Sequence, residues 1–364
     1  MNSNPLISIS IPTYNRAIFL ESLLHQIVGQ LIELPGLIEI CISNNCSIDN
    51  TEEVVLRFQK DYPGLIKYNK NKENLGSDVN ALKLVEMAAG RFVWFFGDDD
   101  SIIEDGIKKV INFVNKYSDK NTGLIILGCK NYFIDNKTKE ETVYSDTVTK
   151  GGSEMHIIDL KDIIGLNLGN SFLSVLLLNS IFAKEILKED KQIIEESIGN
   201  NYMHTFLYQL MLLKYPQLDA LKFNEAIVRE DLHIGRLSLE KAFKLFYASP
   251  KKLNDLLLKS GYGKDCYKKI ISDDHKKFVK LIIKEIGITK AFGRPDYESF
   301  LKYVKLFFQQ ATFTDAVSIS LAFTFFYVTP DFVLKNLYKN FIMIKYKKNW
   351  EKIWFVIATE NTVA

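Results

Sequence analysis

Near the N-terminus, apolar and polar positions alternate strictly: Ile7, Ile9 and Ile11 are apolar, while Ser8 and Ser10 between them are polar. A period of two predicts a strand, and Pro12 is expected to end it. The period then lengthens. Between Arg16 and Gln30 the residues Phe19, Leu20, Leu23, Leu24, Ile27 and Val28 recur at spacings of three and four, followed by Leu31. That spacing predicts an amphipathic helix. Further short apolar runs at 38–42, 65–68, 92–96 and 124–129 predict strands, with helices over about 49–60 and 78–88 between the first three. Strands and helices in alternation, joined by short connections, predict an α/β fold of Rossmann-like type. Its sheet is expected to be mostly parallel, with helices on both faces.

Past about residue 237 the pattern becomes helix after helix: 239–258, 266–286, 297–310 and 313–328 each space apolar residues by three and four. Two domains are therefore predicted, an α/β domain over 1–235 and an α-helical C-terminal domain over 236–364. The threonine-rich stretch 130–152 reads as a hairpin or an excursion near the site.

Composition removes several classes of function. A formal net charge of +2 over 364 residues supplies no broad basic field, so no nucleic-acid partner is expected. Cys41, Cys46, Cys129 and Cys266 have neither CxxC nor zinc-site spacing and read as free thiols in a reducing compartment. Neither a signal peptide nor an apolar run of about 20 residues is found, which predicts a cytoplasmic location. Charge does cluster locally. Lys335, Lys339, Lys345, Lys347, Lys348 and Lys352 interleave with Tyr338, Phe341, Tyr346, Trp350, Trp354 and Phe355. That pattern suits peripheral contact with the inner face of a membrane, and equally suits helices packed on the first domain with lysines in solvent.

In open α/β sheets ligands bind beyond the carboxyl ends of the strands. Four polar clusters stand there: Pro12-Thr13-Tyr14-Asn15-Arg16, the run from Ser43 to Thr51, Asn69 to Gly76, and Gly97-Asp98-Asp99-Asp100. Three successive aspartates repel one another unless a cation lies among them. Mg²⁺ or Mn²⁺ favours such oxygen ligands and leaves positions open for phosphate. The competing reading is a solvated acidic loop capping a helix that begins near Ile103.

Taken together, the segments 8–16, 40–51, 74–76 and 90–100 resemble family-2 glycosyltransferases of GT-A fold. The Trp94-to-Asp100 stretch and Tyr202-Met203-His204 are similar to the abequosyltransferase-like branch. The resemblance spans roughly residues 6–235 and implies an inverting transferase. Such an enzyme moves a sugar from a nucleoside-diphosphate sugar to a glycan acceptor, lipid-linked in related systems, in bacterial surface polysaccharide synthesis. It implies that Pro12, Thr13, Tyr14, Arg16, Asn45, Gly76, Asp98 and Asp99 bind the donor, and that Asp100 ligates Mn²⁺ or Mg²⁺ with His233 as a further ligand. Asp99 would also lie in the catalytic donor-sugar pocket.

Two departures from the family pattern stand out. Asn44-Asn45 replaces the usual pair of aspartates, and Val79 replaces an arginine, leaving Arg16 and Lys72 as candidates for the phosphate contact. The family's acidic general base is also missing from its usual place. His204 is the candidate there, since imidazole titrates near neutral pH, and Glu195 and Glu196 are the fallbacks. Arg229 and Arg236 are further candidates for the diphosphate. Two rival readings are a metal-dependent nucleotidyltransferase and a catalytically silent scaffold that binds nucleotide-sugars.

Overall fold

The computed structural model describes residues 4–31, 34, 36–134, 141–148, 152–164, 172–232, 249–262 and 328. Residues Met1–Ile234 and Lys252–Ile271 form one compact unit, and Gly235–Lys251 with Ser272–Ala364 form a second. The second unit lies almost wholly outside the described residues. So do the expected helices over 266–286, 297–310 and 313–328, apart from Val328, and the lysine-aromatic segment after Lys335.

The first unit opens with three strand–helix repeats and a fourth strand: β1 (Ile7–Thr13), α1 (Ala17–Leu31), β2 (Ile38–Asn44), α2 (Thr51–Asp61), β3 (Ile66–Lys70), α3 (Ser77–Met87) and β4 (Phe92–Phe95). These four strands pair in parallel in the order β3-β2-β1-β4. β1 is buried on both faces, as central parallel strands are. It runs through Pro12 rather than stopping before it. Phe96 N–H bonds Ser10 O on one side and Asn45 N–H bonds Thr13 O on the other. Pro12 therefore faces the β4 side, where the ladder with β4 has ended, and its missing N–H costs no strand hydrogen bond.

After β4 come β5 (Ser101–Ile102), α4 (Gly106–Tyr117), β6 (Thr122–Ile134), β7 (Glu141–Asp146), β8 (Met155–Ile157), α5 (Leu160–Ile163) and a 3-10 turn over Leu173–Val175. There follow β9 (Leu176–Asn179), α6 (Ser180–Glu189), α7 (Lys191–Ser197), α8 (Met203–Lys214), β10 (Asp219–Leu232) and α9 (Ser249–Lys259).

The sheet is mostly parallel, as expected, with its antiparallel members lying beyond β4. β9 lies between β4 and β6, antiparallel to both. Beyond it β6 and β10 pair in parallel, and β10 pairs antiparallel with β5. β6 and β7 form the hairpin expected in the 130–152 stretch. The helices sort into two groups, α1 with α2 and α4, and α3 with α6, α8 and, through α6 and α8, α7. Right-handed crossovers put such groups on opposite sheet faces. The core is continuous, with Trp94, Phe92, Phe95, Phe96, Phe113, Phe206, Tyr208 and Phe223 its largest fully buried side chains among the described residues.

A buried charge fastens the amino end of the sheet. Glu39 Oε1 accepts from Ser8 Oγ at 2.5 Å and from Ala89 N–H at 2.5 Å, and Glu39 Oε2 meets Lys67 Nζ at 2.7 Å. Gly90 has to be glycine here, because a Cβ would sit 2.6 Å from the backbone N of Ser8.

Candidate functional site

Loops from the carboxyl ends of β1, β2, β3 and β4 come together, as expected for a parallel sheet. The first two loops are stitched through side chains. Asn15 N–H bonds Ser47 Oγ at 2.8 Å, Ile48 N–H bonds Asn15 Oδ1 at 2.9 Å, and Ala17 N–H bonds Asp49 Oδ2 at 3.0 Å. Asn15 takes a left-handed backbone conformation (φ 54°), which asparagine tolerates better than most residues. Tyr14 is left half-exposed at the rim of the loop.

Asn45 sits inside an amide network rather than on an open wall. Its Oδ1 accepts from Leu75 N–H at 2.9 Å and from Asn71 Nδ2 at 3.0 Å, and its Nδ2 donates to Asn74 Oδ1 at 2.8 Å. Asn74 Oδ1 also accepts from Gly76 N–H at 3.0 Å, which fixes that amide's orientation and requires a donor from residue 45. A carboxylate at 45 could not supply one. Asn44 is committed in the same way, accepting from Ser47 N–H at 2.8 Å and donating to Tyr68 Oη at 2.9 Å. Gly76, at φ 83°, turns the chain into α3. The departures at 44 and 45 thus hold the two loops in register.

The aspartate triplet follows β4 directly. It does not cap the next helix, because α4 begins only at Gly106, behind the short strand β5. Asp98 and Asp100 are buried, and Asp99 is half-exposed. The Arg16 guanidinium bridges two of them, 3.0 Å from Asp98 Oδ1 and 2.5 Å from Asp99 Oδ2. Burial pushes the Asp98 carboxyl up to about 6, against the opposing pull of the Thr13 hydroxyl and Arg16. Thr13 lies near enough to favour the charged form, yet neither Thr13 Oγ1 nor Asp98 Oδ2 has a well-formed hydrogen bond within the protein. Burial also holds Asp100 well above the usual carboxylate range. The Ser174 hydroxyl opposes this, while Asp99, Glu230 and Asp98 add to it.

Ser174 was not foreseen from the sequence. Its hydroxyl donates to Asp100 Oδ2 and accepts from Gly97 N–H at 2.8 Å, and its carbonyl accepts from Trp94 Nε1 at 2.8 Å. Gly97 lets the loop close this tightly, since a Cβ there would lie 2.6 Å from Asp100 Oδ2. Groups that hold a functional carboxylate in place are typically worth about 10- to 100-fold in activity. Ser174→Ala is therefore expected to lower kcat/KM by about that factor, with an unfolding midpoint close to that of the unaltered protein. Full activity in steady-state kinetics would remove Ser174 from the site.

Pairing of β10 with β5 sets Arg229 opposite Ser101, the residue after Asp100. The Arg229 guanidinium lies 4.2 Å over the Tyr132 ring. His233 and Arg236 lie outside the described residues. Lys72 is exposed on the loop after β3, where its carbonyl accepts from Cys46 Sγ. His204 is half-buried in the first turn of α8. Glu195 and Glu196 pair with Lys191 and Lys259, as a solvated helix face would. Among the described residues, no group of three or more His, Cys, Asp or Glu side chains is placed to hold a metal ion, and no helix is long and apolar enough to cross a membrane.

Comparison with known proteins agrees with this geometry. Residues 8–160 match the family model for glycosyl transferase family 2. The abequosyltransferase RfbV of Salmonella typhimurium is 32% identical over 49% of this chain and 61% of its own length. The GalNAc(5)-diNAcBac-PP-undecaprenol beta-1,3-glucosyltransferase of Campylobacter jejuni is 29% identical over 54% of this chain and 57% of its own. The chain thus spans less than two thirds of either relative. In fold it is similar to S. aureus TarS 1-349 in complex with UDP-GlcNAc, with a TM-score of 0.57 at 15% identity, covering 82% of this chain and 78% of that one. The order of the parallel strands, the polar clusters at their carboxyl ends and the match over 8–160 lead to one conclusion: residues 8–160 are similar to glycosyl transferase family 2, within a GT-A-like fold.

Proposed function

We propose that this protein is an inverting glycosyltransferase that moves a sugar from a nucleoside-diphosphate sugar to a hydroxyl of a glycan acceptor, in the synthesis of a bacterial surface polysaccharide. The observation that carries this reading is the pair of buried, unpartnered oxygens, Thr13 Oγ1 and Asp98 Oδ2, beside Asp100 at the strand ends. Buried polar atoms are normally satisfied, so such a pair marks a place where a polar ligand completes the structure. The names of the relatives support the acceptor class, and the Campylobacter protein's name specifies a glycan linked to undecaprenol.

The donor would be held by Pro12, Thr13, Tyr14 and Gly76 on one side and by Asp98 and Asp99 on the other, with Asn45 shaping the loop. Arg16, released from the aspartates, would meet the diphosphate. The residues present suit a divalent cation of the Mg²⁺ or Mn²⁺ kind. Such ions are commonly bound through one or two carboxylates plus substrate phosphates, without a full protein cage. Asp100 would hold it, with His233 as the second expected ligand. When bound, the ion supplies charge neutralisation to the departing diphosphate. His204 would take the proton of the acceptor hydroxyl, whose oxygen attacks the anomeric carbon as the bond to the nucleoside diphosphate breaks.

A thermal-shift panel of UDP-, GDP-, CDP- and dTDP-sugars with Mn²⁺ tests this. One donor is expected to stabilise the protein by about 2.7 kcal/mol at a hundredfold excess over its Kd, and EDTA should reduce the gain. A preference for nucleoside triphosphates would instead indicate nucleotidyl transfer, and no response to any nucleotide would indicate a scaffold.

A further inference from the structure

A second buried carboxylate takes no part in the donor site. Asp78, in the first turn of α3, is 4% exposed, and no lysine or arginine pairs with its carboxylate among the described residues. Instead its Oδ2 accepts main-chain N–H bonds from Gly199 at 2.8 Å, Asn200 at 2.8 Å and Asn201 at 3.0 Å, and its Oδ1 accepts one from Met203 at 3.4 Å. These amides converge because the chain curls immediately before α8, with Gly199 at φ 90° and Asn201 at φ 62°. Successive N–H groups in such a curl form a concave cradle for an anion, and here the protein supplies the anion itself. Ser77 Oγ adds a bond to Asn201 Oδ1 at 2.8 Å.

The same turn of α3 is pinned in the opposite direction. Asn80 Nδ2 donates to Ser43 O at 2.8 Å, and Asn80 Oδ1 accepts from Ser43 Oγ at 2.7 Å and from Asn71 Nδ2 at 3.0 Å. Two residues apart, Asp78 grips the start of α8 and Asn80 grips the strand ends of β2 and β3. The first turn of α3 is therefore a rigid link between the donor-side loops and the helix that carries His204.

We propose that Asp78 is a positioning residue that fixes the start of α8, and His204 with it, relative to the strand ends that hold the donor. The inference rests on the glycosyl-transfer reading for its consequence in turnover, but the clamp itself can be read without turnover. Asp78→Asn keeps the shape and removes the charge that the four N–H groups share.

With Mn²⁺, the nucleotide-sugar that most stabilises the protein and a panel of octyl glycosides as acceptors, kcat is expected to fall at least 30-fold while donor Kd stays within about threefold. Amide exchange across 199–203 should speed up in the same samples. Ser77→Ala, on the exposed arm of the clamp, should lower kcat a few-fold at unchanged donor Kd, and it decides the matter if Asp78→Asn does not fold. An unchanged kcat, a donor Kd that weakens as much as kcat falls, or unchanged exchange at 199–203 would each overturn the inference. An unaltered protein that binds no donor, while Asp78→Asn frees those amides, would overturn the glycosyl-transfer reading instead and leave the clamp standing.

Discussion

Asp100→Ala is expected to lower kcat/KM for sugar transfer by on the order of 10³-fold, equivalent to about 4 kcal/mol of lost transition-state stabilisation. The same substitution should leave the ligand-free fold as stable as before, or more so. Asp100 is buried and held well above the usual carboxylate range, with Ser174 its hydrogen-bond donor. A carboxyl whose pKa is raised on folding binds its proton more tightly in the native state. Its ionisation therefore opposes folding once the pH exceeds the unfolded value, near 3.8. The stability of the variant relative to the unaltered chain should accordingly improve between pH 4 and pH 7. Thermal unfolding at both pH values, alongside donor kinetics, checks the two halves. Normal turnover would remove Asp100 from the donor site, and a collapse in stability at pH 7 would make it a structural residue.

The largest effect on stability is expected at the opposite end of the sheet, where Glu39→Ala should cost about 3 kcal/mol. The change strands the Ser8 hydroxyl and the Ala89 N–H in a buried place, and each unmet buried donor costs roughly 1–3 kcal/mol. Burial alone would raise the Glu39 pKa, but Lys67, the Ser8 hydroxyl and the Ala89 N–H outweigh it, and the carboxyl lies below its ordinary 4.5. The sign is then the reverse of that at Asp100. The contribution of the Glu39 charge is complete above about pH 4.5 and is lost as the pH falls through the lower native value. Urea midpoints for Glu39→Gln and the unaltered chain should therefore converge on acidification. A gap that persists unchanged to pH 3 would mean that packing, not charge, holds this corner.

The parts of the site that could be read in the sequence are those whose meaning is local. β1 declares itself by alternation, α1 by its spacing of three and four, and Asp98–Asp100 by placing three like charges at a strand end. What could not be read depends on which distant segment arrives. Leu176–Asn179 is three leucines and an asparagine, too short for its period to separate a strand from a buried helix turn. β10 carries Lys222, Glu225, Arg229 and Glu230 among its apolar residues, and this hides its strand character. Ser174 and Asp78 are unremarkable in sequence, one a serine before an apolar run and the other an acid in a helix's first turn. Their roles come from partners 74 and more than 120 positions away. Asn44 and Asn45 show the converse. Their difference from the family pattern was plain from the sequence, but its reason, an amide at Asn74 already committed to Gly76, needed the fold.

The insertion of β9 between β4 and β6 has a consequence for the order in which the protein is made. Until residues 172–179 leave the ribosome, β4 has a bare edge, and the indole of Trp94 and the carboxyl of Asp100 wait for a partner that has not been synthesised. A nascent chain cut at residue 160, where the family match ends, would hold every aspartate of the triplet and none of the strand that seats them. Unpaired edges of this kind are where growing chains stick to one another. The interval between the emergence of β4 and the arrival of β9 is thus a stage of synthesis at which the growing chain carries an open sheet edge.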